Sequence, residues 1–209
     1  MKYSSVKPGK VRYAGIIVLF LIAIFSAACV STGSIKEVSR LHASGKPAAA
    51  NEMLLVLAKS GNVAAQAWLG AKYASGKDIE QDFKKSFYWQ LKAAEQGHII
   101  AQYNVAVLYA RGKGAVKNNK HAVYWFRKAA DAGMPQAQLH MGLMREKGWG
   151  VSRCPYTASK WYYRAGQTFI DHRNLKMARH VQQKIQSILP GYYLAQQLKD
   201  EIFLDGGNK

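Results

Sequence analysis

Acidic side chains are scarce in this 209-residue chain: 12 Asp and Glu stand against 30 Lys and Arg, a net charge of +18. Cysteine is scarcer still, with only Cys29 and Cys154. Two cysteines exclude a disulfide framework, and none forms within the chain if Cys29 is modified, so stability has to come from packing. Cys154 falls in a predicted loop before Pro155 and reads as an unpaired structural thiol, because no neighbouring sequence lowers its pKa. The motifs that carry common chemistries are missing as well. There is no HExxH, CxxC, GxSxG or P-loop, which removes the usual zinc-peptidase, dithiol, hydrolase and nucleotide-binding readings. The histidines at 42, 98, 121, 140, 172 and 180 are dispersed. His172 and His180 share one face of a predicted helix but lack a third ligand. No catalytic residue, metal or cofactor is therefore expected.

What is present begins with charge. The excess of cations favours acidic partners in general, whether lipid headgroups, nucleic acid, polysaccharide or an acidic protein face. A nucleic-acid reading would need a reader motif or a basic face interleaved with stacking aromatics, and neither is apparent from the sequence. With 49% hydrophobic residues the chain is expected to fold.

The N-terminus reads as an address. Lys2, Lys7, Lys10 and Arg12 precede "AGIIVLFLIAIFSAACVSTG". The apolar core from Ile16 to Phe25 is far shorter than the roughly 20 residues of a membrane-spanning helix and fits a secretory signal. Without the four leading cations, 26 remain against 12 acids, a charge of +14. Ala27, Ala28 and Cys29 resemble the lipobox of bacterial lipoproteins, although Ser26 stands where that family usually has leucine. The resemblance implies a signal peptide over residues 1–28 and a fatty-acylated, palmitate-bearing Cys29. Cleaved soluble export is an alternative, and so is an uncleaved anchor, since Ala14 to Val30 carries no charge. Each places residues 31–209 outside the cytoplasm. By resemblance, Val30 favours the outer membrane facing the periplasm, because the aspartate that commonly marks inner-membrane retention is missing.

The rest is organised by a 36-residue repeat. Gly61, Gly97 and Gly133 align, as do Gln66, Gln102 and Gln138, Gly76, Gly112 and Gly148, and Trp89, Trp125 and Trp161. The first two copies share 13 of 36 positions without a gap. Each copy reads as two helices. Helix A covers about Ala64–Ser75, Ile100–Arg111 and Gln136–Lys147 and ends at a glycine. Helix B carries the small-and-aromatic stripe "YWQLKAA", "YWFRKAA" or "KWYYRAG", and the next glycine closes the unit. One such pair cannot bury its apolar stripe alone, so pairs have to stack, with the tryptophans as packing plugs.

These motifs, over residues 61–168, resemble the Sel1-like repeat family, relatives of tetratricopeptide repeats. The resemblance implies an all-α, right-handed solenoid of stacked helix-turn-helix units, with repeats at 61–96, 97–132 and 133–168. Residues 29–60 are expected to form a tether and a degenerate helical pair, and residues 169–209 a C-terminal helical cap and tail. Lys72, Asp78 and Cys154 depart from the repeat pattern, at an apolar, a glycine and an acid-or-amide position respectively.

The resemblance also implies scaffold work without catalysis. The A helices should line a concave groove, and Trp68, Asn104 and His140 occupy one equivalent, variable position predicted to point into it. The partners expected are other envelope proteins with acidic surfaces, together with the membrane reached through the N-terminal lipid or anchor. Nucleic acid is not expected. The alternative is a wall-associated accessory or weak hydrolase holding an anionic glycan.

Overall fold

A computed structural model describes residues 34–206, so the signal segment and Cys29 lie outside the described residues. The described residues form ten helices and no strand: α1 Ile35–Ala43, α2 Pro47–Lys59, α3 Val63–Ser75, α4 Phe83–Glu95, α5 Ile99–Arg111, α6 Asn119–Asp131, α7 Pro135–Lys147, α8 Pro155–Asp171, α9 Leu175–Ile188 and α10 Tyr193–Gly206. Each helix packs against the next, which is the plan of an α-solenoid. None is long and apolar enough to cross a membrane.

The helices start and stop where local chemistry allows. Asn62 and His98 accept the Ala65 and Ala101 amides at the starts of α3 and α5, and Asp82 and Asn118 do the same for α4 and α6. Such caps satisfy amides that a helix cannot bond internally. The A helices α3, α5 and α7 stop at Gly76, Gly112 and Gly148, each left-handed with φ between +66° and +75°. The long loop then folds back in the same way each time. The amides of Asp82, Asn118 and Cys154 donate to the carbonyls of Tyr73, Tyr109 and Arg145 at 3.0, 3.0 and 2.9 Å.

The repeated glutamines join one unit to the next. Buried Gln66, Gln102 and Gln138 donate through Nε2 to the carbonyls of Ala58, Ala94 and Ala130 at 3.1, 3.3 and 3.2 Å. Those carbonyls end the preceding helix, where each also accepts the amide of Gly61, Gly97 or Gly133, so the glutamine adds a second bond that ties the units together. Trp89, Trp125 and Trp161 are buried at 7–8% exposure within the packed clusters, so they are plugs, as the spacing predicts. Each hides about 150–250 Å², a burial of roughly 4–6 kcal/mol at ~25 cal/mol per Å².

Upstream, α1 and α2 pack as a helical pair ahead of the repeats, with Leu54, Leu57 and Ala58 buried. Downstream, Ala178, Val181, Ile185, Leu194, Leu198 and Ile202 close the last apolar face. One boundary differs from expectation. Gly166 does not end its helix, and α8 runs for 17 residues through the limit placed at residue 168. Gly166 serves close approach instead, because a side chain there would collide with Leu198 of α10. The chain turns only at Arg173, in a left-handed conformation with φ +54°.

Candidate interaction groove

Rows of side chains spaced i, i+3 and i+7 along the A helices share one face. On α5 this row is Asn104, Val107 and Arg111, and on α7 it begins with His140 and Leu143. Together with Phe126 of α6 they line a cavity of about 480 Å³, walled by Lys117 and Trp149 from the two interhelix loops. A second cavity of about 440 Å³ shares Asn104, Val107 and Arg111 and extends toward Ala71 and Gln90, with Lys113 at its rim. A third of about 340 Å³ shares Tyr103, His140 and Leu143 and reaches Val181 and Lys184 of α9. Shared walls make the three one groove. Its lining includes Arg111, Lys113 and Lys117, together with Lys184, which is ion-paired with Glu146 at 3.0 Å, and no Asp or Glu among the lining residues themselves.

His140 is held firmly. Its ring stacks on Phe126 with centroids 4.6 Å apart and planes 10° from parallel, and its Nε2 lies 3.2 Å from the Tyr103 hydroxyl. Burial, and secondarily the charge of Arg111, pushes its pKa down, so the imidazole is neutral at pH 7. Burial pushes the Tyr103 phenol up. The two rings therefore present uncharged hydrogen-bonding edges beside a guanidinium and an ammonium.

Of the three positions chosen from sequence, Asn104 and His140 meet in this groove, while Trp68 does not join them. Trp68 packs with the N-terminal cluster and stacks on His42 of α1, centroids 6.0 Å apart. The extra helical pair covers that end. Arg111, Lys117 and Trp149 escaped the sequence reading, since their loops and helix ends read as turn punctuation. The signal available was the "GWG" tryptophan, a large apolar side chain left 48% exposed.

Cys154 also differs from expectation. Its thiol is held below the usual value, first by the Thr157 hydroxyl and then by the Thr157 backbone amide. It occupies the cap position of α8 and is partly exposed. Among the described residues no group of acids, cysteines and histidines is arranged to hold a metal.

The Sel1 repeat profile matches residues 63–98, 99–134 and 135–167, half of the chain. The chain belongs to the Sel1 repeat family. Proteins built from Sel1 repeats are in general scaffolds for protein–protein interaction. Among solved structures, the chain is similar to a Sel1 repeat protein from Oxalobacter formigenes, at 25% identity and a TM-score of 0.60, over 83% of this chain and 86% of that one. It is also similar in fold to a protective antigen present in uropathogenic Escherichia coli strains, at 23% identity and a TM-score of 0.56, over 75% of this chain and 41% of that one. The search of curated proteins gives no significant match.

Proposed function

We propose that this Sel1 repeat chain is an exported scaffold of the cell envelope, anchored through Cys29 or its apolar N-terminus, that binds protein partners along the A-helix groove. The observation that carries the reading is the groove itself: a largely apolar floor with Arg111, Lys113 and Lys117 around it, none of them ion-paired among the described residues, and no acid among its lining residues. Such a surface fits an extended segment that alternates bulky apolar and acidic side chains. The apolar side chains supply burial, while positive charge accelerates encounter and selects the partner. The mechanism is binding alone.

A photo-crosslinking side chain at position 104, used in intact envelopes, tests it. Crosslinks to discrete envelope proteins are expected, weakened at least severalfold by Arg111→Glu with Lys117→Glu and by high salt. Cys29→Ala should release the chain from membranes where the lipid is the anchor and leave it bound where the apolar N-terminus is, in either case without changing the groove. Crosslinks indifferent to charge reversal would overturn the reading.

A further inference from the structure

The outer face of the B helices carries a second, independent pattern. Three positions spaced i, i+4 and i+8 recur on α4, α6 and α8 at the 36-residue period. The first holds Lys84, Lys120 and Tyr156, the second Tyr88, Tyr124 and Lys160, and the third Lys92, Lys128 and Arg164. All nine are exposed, and every one is a cation or a tyrosine. None of the six cations forms an ion pair among the described residues. Glu95, Asp131 and Asp171 stand at one edge, near the C-terminal ends of α4, α6 and α8, where Asp131 and Asp171 line a shallow cavity with Arg164. The face is thus basic and interleaved with aromatics, a combination not apparent along the sequence because each helix contributes only three of its members.

We propose that this B-helix face docks on an anionic phospholipid bilayer, leaving the A-helix groove turned away from the membrane. Charge complementarity is the first argument. Each Lys or Arg beside an anionic leaflet favours binding by about fivefold, and six on one face act together. The tyrosines decide between a bilayer and the other polyanion that a basic, aromatic face could take, a nucleic acid.

Base stacking requires open ring faces. Here each ring is already capped by the ammonium four residues on: Lys92 over Tyr88 at 5.1 Å, Lys128 over Tyr124 at 4.9 Å, and Lys160 over Tyr156 at 4.4 Å. The rings are nevertheless about half exposed, at 48–51%. A tyrosine that offers its edge and hydroxyl beside an ammonium suits the headgroup layer, where an apolar body and a polar tip are both accommodated. The inference is independent of the groove reading, because no residue is shared.

The test uses the full chain reconstituted with phosphatidylcholine vesicles, with or without phosphatidylglycerol. Lysine acylation by a water-soluble ester is followed residue by residue. Lys84, Lys92, Lys120, Lys128 and Lys160 should react severalfold more slowly in the anionic vesicles and recover at high salt, with Lys113 and Lys117 of the groove unchanged. Lys92→Glu with Lys128→Glu and Arg164→Glu, all at exposed positions, should abolish the protection of Lys84, Lys120 and Lys160. Equal rates in the two vesicles would overturn the proposal. So would protection by duplex DNA that anionic vesicles fail to give.

Discussion

The first repeat and the two after it follow one backbone plan with different chemistry in the same places. Where the later repeats bury Leu108 and Met144, the first buries Lys72; where they have Gly114 and Gly150, it has Asp78. These two departures answer each other. Lys72 Nζ lies 3.2 Å from Asp78 Oδ2, and Asp78 keeps the left-handed conformation of the glycines it replaces, φ +64°. In the later repeats a side chain at the glycine would collide with the backbone of Phe83 or Asn119 in the preceding B helix. In the first repeat the loop instead meets α2, where Asn51 donates to the Asp78 carbonyl at 2.9 Å. A repeat tolerates a buried charge when the same unit supplies the counter-charge. It also changes its surface: the first A helix is covered at Trp68, while the next two open at Asn104 and His140.

The largest effect is expected from breaking that compensation. Asp78→Gly leaves the Lys72 ammonium, with its side chain 7% exposed, without a counter-charge, a loss of about 3 kcal/mol. Lys72→Met costs less, about 1 kcal/mol, because Asp78 is more exposed and still has His42 at 3.9 Å. Lys72→Met with Asp78→Gly restores the later repeats' pattern and should fall within about 1 kcal/mol of wild type. Urea unfolding of the four proteins checks this. If the two single losses add in the double variant, the departures are independent and the comparison fails.

Which parts of this were legible follows from which residues carry local signals. The A helices, their glycine stops and the buried tryptophans are set by short-range pattern, so the 36-residue period exposes them. The length of α8 was hidden because Gly166 reads as a stop, whereas its role is set by Leu198, more than 30 residues away. Trp68 reads as equivalent to Asn104 and His140, but a helix outside the repeat, α1, covers it through His42. Asn104 and His140 were found as a variable position. Arg111, Lys117 and Trp149 converge on them only because three separate segments fold together. The B-helix face was missed for the same reason, since its pattern runs across helices.

An intermediate effect is expected at the third repeat, whose departure has no compensation. Cys154 stands where Asp82 and Asn118 accept the amides of Lys85 and His121, and its sulfur, a weaker acceptor, takes the Thr157 hydroxyl at 3.1 Å in place of a well-formed cap bond to an amide. Cys154→Asp supplies a stronger acceptor and places negative charge at the helix start, so the urea unfolding midpoint should rise. Asp82→Ala in the first repeat should lower it. A Cys154→Asp protein no more stable than wild type would mean that the α8 start is held by its loop bonds alone.

The smallest effect concerns the open end of the groove and appears as a slope with pH. Burial and Arg111 depress the His140 pKa in the folded chain, while the unfolded imidazole titrates near its ordinary value of about 6.5. Between those two values the unfolded chain binds the extra proton, so stability is lost as pH falls through about 6.5 and is fully present above it. His140→Asn makes the third A helix match Asn104 of the second. It should cost some stability at neutral pH through the lost stacking on Phe126, and it should flatten the decline between pH 7.5 and roughly 5.5. Unfolding midpoints of the two proteins across that range decide the matter. Parallel curves would mean that His140 takes up its proton alike in the folded and the unfolded chain, and the closed and open ends of the groove would then differ in shape without differing in their response to acid.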